Sequence, residues 1–141
     1  MIKYSAVLIL ILFTCFSATA EQTINFNKLI DQHMEMVSKN REAFHKQMKE
    51  LREEEYKPKK DKPYDTFREA LLELKKTDNE LLKAKFLKTL FESQKAGLAY
   101  NIKSDDGTFY DAKALKKDLI FCKEQLLRID NFLLEASNPK K

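Results

Sequence analysis

Two histidines, two cysteines and twenty-two carboxylates are the residues with which this chain could do chemistry. Glu42-Ala43-Phe44-His45 sets a carboxylate and an imidazole three residues apart, a step that puts both on one helix face in di-iron sites. That chemistry needs a second such step and two further inward carboxylates on other helices. The residue three before His33 is Ile30, so the second step is missing. His33 and His45 are also about a third of a turn out of alignment on one helix. They read as surface or boundary histidines. Haem held between Met and His fails for a related reason: the candidates share one helix, and CxxCH is absent. No metal and no other cofactor is expected.

Ser104-Asp105-Asp106-Gly107 has the look of a calcium loop. With Gly107 as its sixth position, Ile102 would stand first and Lys113 twelfth, where an Asp and a bidentate Glu are required. It reads as a turn. Gly97 and Gly107 have no glycine companions to cradle phosphate, and no Gly-x-Ser-x-Gly elbow exists. Without Trp, and with few loops, there is little from which to build a sugar cleft. The expectation is a protein that is not an enzyme.

The cysteines depend on the opening MIKYSAVLILILFTCFSATAEQ. Lys3, the apolar run Ala6–Phe13 and then Ala18-Thr19-Ala20 follow the order of a secretory signal cut after Ala20. The run falls short of the about 20 apolar residues a spanning helix needs. Lipid attachment at Cys15 is the rival reading, and Phe13 and Thr14 are bulky where a lipobox has small residues. Export is therefore expected, periplasmic in a bacterium and extracellular in a eukaryote. Loss of residues 1–20 leaves 121 residues, a net charge of +3 and Cys122 as the one cysteine, so no internal disulfide. A chain of about 120 residues can hold one domain by its core alone.

The elements that must position these residues are helical. Glycines and prolines are few, charge is dense, and apolar residues recur at three and four. Asn25 caps a first helix, with Ile24 and Leu29 at staple positions. Ile30, Met34, Val37, Phe44, Met48 and Leu51 form its stripe, Arg41 filling one turn. EEEYKPKKDKPYD breaks the pattern and gives a linker at about 57–65. Thr66-Phe67-Arg68-Glu69 then reads as a capping box, and Thr77 to Glu80 as a second. Leu71 and Leu82 are close to three full turns apart, so one helix kinked near Asp78 and two separate helices both fit. After the turn, Asp111 caps the last helix between Tyr110 and Leu115. Leu115, Leu119, Cys122, Leu126, Ile129 and Leu133 make an unbroken seam. Cys122 on that seam reads as a small buried apolar residue, hence unreactive.

The fold expected is all-α: an up-down-up bundle of three long amphipathic helices at about 25–56, 66–102 and 111–136. A break of the middle helix near Asp78 would make four. Residues 137–141 form a flexible tail. From Lys83 to Lys103 there are five lysines and one acid, with Phe86, Phe91 and Tyr100 interleaved. The function expected is that of an exported, non-enzymatic binding protein, like a chaperone, adaptor or inhibitor. It would engage another protein through Lys83, Lys88, Lys95 and Lys103, with Lys57, Lys59 and Lys60 beside them. Export and the small net charge argue against nucleic acid. A membrane surface is a lesser expectation, and self-association is left open. The alternative is a carrier of a small apolar ligand held between the helices by Phe86, Leu87, Leu90 and Phe91.

Overall fold

The computed structural model describes residues 23–52, 62–107 and 110–138. Those residues form an all-α bundle of four helices: α1 Phe26–Arg52, α2 Lys62–Lys76, α3 Glu80–Ser104 and α4 Ala112–Ser137. The signal segment, Cys15, Lys57, Lys59 and Lys60 lie outside the described residues. Among the described residues no helix is long and apolar enough to cross a membrane.

The helix starts follow local chemistry. Asn25 Oδ1 accepts from Lys28 N at 3.0 Å, while Ile24 and Leu29 are both buried beside the cap, so the staple closes the first turn. Asp111 accepts from Lys113 N at 2.9 Å, with Leu115 buried. Between α3 and α4, Asp105 Oδ2 accepts from Gly107 N and Tyr110 N, each at 3.2 Å. Gly107 takes φ +93°, a conformation that glycine enters without a Cβ clash.

α2 begins four residues before the capping box read at Thr66. Pro63 fits in the first turn, where its missing N–H costs nothing. Thr66 sits inside the helix and donates its hydroxyl to the Lys62 carbonyl at 2.9 Å, so it caps nothing. The other box is displaced as well: Asn79, not Thr77, caps α3, accepting from Leu82 N at 3.0 Å. Thr77 instead closes α2, its hydroxyl donating to the Leu74 carbonyl at 2.9 Å.

The middle segment is thus two helices, and the chain reverses between them. Phe67 of α2 and Phe91 of α3 both flank His33, with ring centroids 6.0 and 5.1 Å away. Lys75 bonds Asp31 at 2.7 Å and Lys83 bonds Asn27 at 2.9 Å, on one turn of α1. A straight or kinked helix would carry these pairs far apart, since about 24 residues of helix span about 36 Å. The helices therefore alternate in direction: α1 lies against both α2 and α3, and α3 and α4 make the closest pair.

The core fills that arrangement. Ile30, Leu71, Leu87, Phe91, Cys122 and Ile129 are its largest fully buried side chains. Phe26 meets Phe132 edge-on at 4.9 Å, and the Cys122 thiol lies 3.9 Å from Met36 Sδ. Only the first half of α1 joins this core. Phe44 and Leu51 are 38% and 58% exposed, so the stripe read along the whole helix loses its partner surface toward Arg52.

Candidate functional site

The lysines expected to form a binding face are dispersed by the fold. Lys83 is 6% exposed, its ammonium donating to Asn27 Oδ1 at 2.9 Å and to the Lys75 carbonyl at 3.3 Å. That carbonyl belongs to the last turn of α2, where the helix dipole favours a cation. Lys83 therefore closes the α2 end rather than facing a partner. Lys88 is drawn to Asp130 of α4 at 2.9 Å, and that carboxylate raises its pKa first by hydrogen bonding and then by charge. Lys95 and Lys103 remain exposed, near Tyr100, which is 71% exposed.

The expected ligand lining is likewise divided. Leu87 and Phe91 are wholly buried in the core, four residues apart on its face. Phe86 precedes Leu87 by one residue and so turns about 100° away from it; it is 43% exposed. Leu90, the fourth, lines an open space.

That space is a cleft of about 500 Å³ between α1, α2 and α3. His33, Val37, Arg41 and Phe44 line it from α1 at helical spacing, and Leu90, Gln94, Gly97, Leu98 and Asn101 from α3. Phe67 of α2 and Tyr110 of the α3–α4 turn complete its wall. Because α1 and α3 run in the same direction, both rows progress together from the closed end at His33 to the mouth at His45 and Asn101. His33 and His45 thus line one space while standing about 18 Å apart along α1, too far to share a metal ion. No group of three or more His, Cys, Asp or Glu side chains converges for a metal among the described residues.

The closed end contains the most unusual chemistry. His33 is 2% exposed, which overturns its reading as a surface or boundary residue. Among the described residues neither of its ring nitrogens has a hydrogen-bond partner, and neither do the buried amide oxygen and nitrogen of Gln94. Burial lowers the His33 pKa to about 4, the Leu90 backbone beside the ring acting the other way. The imidazole is therefore neutral at pH 7, with one nitrogen donating and the other accepting. At the mouth, the Arg41 guanidinium stacks 3.9 Å over the Tyr64 ring.

Gly97 gives the cleft its width. A Cβ built there meets nothing within 4 Å, so no packing neighbour excludes a side chain from this helix-interior position. The sequence reading took His33 for a surface or boundary residue and Gly97 only for a glycine without companions, and assigned neither to a site. The signal for His33 was its place between Ile30 and Val37 on the apolar stripe. For Gly97 it was the helix-weakening residue inside a strong helical pattern.

Comparison with protein families, characterised proteins and solved structures finds no match. Fold and site alone define the class: a four-helix bundle with one side opened into a mixed apolar and polar cleft.

Proposed function

We propose that this protein is a non-enzymatic binding protein that holds a small amphipathic molecule in the cleft between α1, α2 and α3. The observation that carries the reading is the cleft, about 500 Å³ and walled by Val37, Phe67, Leu90 and Leu98, within the size range of small-molecule sites. The ligand is thus bordered by one expected residue, Leu90, and otherwise by side chains of α1 and the later turns of α3.

The neutral fluorescent amphiphile N-phenyl-1-naphthylamine tests the reading. Its emission should rise and saturate at one probe per chain, and Gly97→Leu should abolish the rise while leaving the helical signal intact. A probe signal that Gly97→Leu leaves unchanged sinks the cleft as the site.

A second reading is favoured by the exposed Tyr100, with Lys103 one turn on and Lys95 exposed on the same helix. This smaller basic and aromatic surface suits an acidic protein partner, and the expected export would bring it to partners outside the cytoplasm. Its test uses Lys95→Glu with Lys103→Glu, and a captured partner that both forms retain equally would count against it. Lys83→Glu cannot serve, because a carboxylate against the α2 terminus would destabilise the fold itself.

A further inference from the structure

The apolar walls explain why a molecule would enter the cleft, but not which end goes first or which head group is selected. That choice falls to His33 and Gln94. Both side chains line the cleft; their four polar atoms are covered by protein and unpaired among the described residues, so a head group reaches them as the half-buried Gln94 side chain turns aside. Buried polar atoms are hydrogen-bonded in the great majority of proteins, to protein, water or ligand. Leaving one unmade costs stability, so four unpaired atoms, two on α1 and two on α3, call for an occupant.

The chemistry of the pair limits that occupant. A neutral imidazole and a primary amide each offer one kind of donor and one kind of acceptor. Gln94 follows Leu90 by four residues, so it stands about 6 Å further along the cleft than the turn of α3 that meets His33. Among the described residues no carboxylate lines the cleft, which leaves a cationic head without a counter-ion there. A carboxylate head would meet no cation at the closed end, since Arg41 lies two turns away toward the mouth. Sealing either ion there would cost far more than one hydrogen bond returns.

We infer that the cleft selects an uncharged head group carrying a hydrogen-bond donor beside an acceptor, such as a carboxamide, which enters first and is held between His33 and Gln94. The apolar remainder of the ligand lies along Val37, Phe67 and Leu98. This inference rests on the cleft being the binding site, and it adds the polarity and orientation of the ligand.

Three probes with one tail separate the two levels: phenylbutyramide, phenylbutyrate and phenylbutyl-trimethylammonium, titrated calorimetrically into the full chain at pH 7. The amide should bind at least about tenfold tighter than either ion, the margin that one lost hydrogen bond of about 1.4 kcal/mol provides. Gln94→Leu and His33→Phe should each cut that preference to about twofold or less. The His33 ring nitrogens should shift in the NMR spectrum on addition of the amide. Equal binding of all three heads would overturn the head-group inference and leave the cleft reading standing. Binding of none of them, with the naphthylamine probe also silent, would overturn both.

Discussion

Burying a histidine without a partner makes folding sensitive to acid. His33 has a folded pKa of about 4 against 6.5 for the free side chain, because burial disfavours its charged form. Between those values the unfolded chain takes up a proton that the folded chain refuses, so stability rises with pH across this window. The contribution is fully present above about pH 6.5, falls as the pH drops toward 4, and levels off below. The shift corresponds to on the order of 3 kcal/mol. Urea unfolding at pH 7.5, 5.5 and 4.5 should show this loss in the native chain and a flatter dependence in His33→Leu. Parallel curves for the two proteins would contradict it. Cys122 makes the opposite case, a group kept silent at every ordinary pH. Its pKa is pushed up to about 11, first by burial and then by the nearby Asp118 carboxylate. Thiolate is the reactive form, so the about hundredfold smaller thiolate fraction should slow native alkylation of the Cys122 peptide by at least that factor relative to denatured protein.

At the scale of the helices, the elbow from Thr77 to Asn79 decides the arrangement. Asn79 starts α3 by satisfying Leu82 N, and Lys83 meets both the end of α2 and Asn27 of α1. Asn79→Ala should cost about 1 kcal/mol in chemical denaturation, the usual value of a lost N-cap. A cost near zero would mean that packing alone sets the reversal. Gly97 gives a prediction of the other sign. With open space where its Cβ would stand, Gly97→Ala should stabilise the protein by about 0.5–1 kcal/mol through helix propensity alone. A destabilised Gly97→Ala would show that the wall closes there in solution. Stabilisation by alanine together with loss of probe binding by leucine would identify the glycine as a residue serving the cleft at some expense to the helix.

For the whole molecule, stability is unevenly distributed. The closest packing joins α3 to α4, reinforced by the Lys88–Asp130 pair. α1 contributes its buried side chains from Phe26 to Met36, and beyond them it borders the cleft on one side and solvent on others. Hydrogen exchange should therefore be slowest around Leu87, Phe91, Cys122 and Ile129, and faster by orders of magnitude from Phe44 to Arg52. Uniform protection along α1 would show the outer half of that helix to be held as firmly as its base. An occupant of the cleft touching Arg41, Phe44 and Asn101 would protect this outer half, so the same experiment with ligand added reports on binding as well as folding.

The all-α class, the caps at Asn25 and Asp111 and the seam on the last helix were legible from the sequence because each depends on neighbours within a turn or two. Cys122 was placed correctly for the same reason: Leu119 and Leu126 on one stripe put it in the core. The reversal at Thr77–Asn79 was not legible, since Leu71 and Leu82 share a phase whether the helix runs on or folds back. Only the packing of Phe67 and Phe91 on either side of His33 decided it. Lys83 looked like surface because lysine usually is, and tertiary structure buried it by bringing the α2 terminus and Asn27 to its ammonium. The cleft was the least legible feature. Its wall joins residues of α1 to residues of α3 more than fifty positions away, so the place of His33 and Gln94 on one cleft depends on the parallel course of two helices. Local sequence determined what each helix is; the three-dimensional fold decided which polar side chains were left unpaired between them.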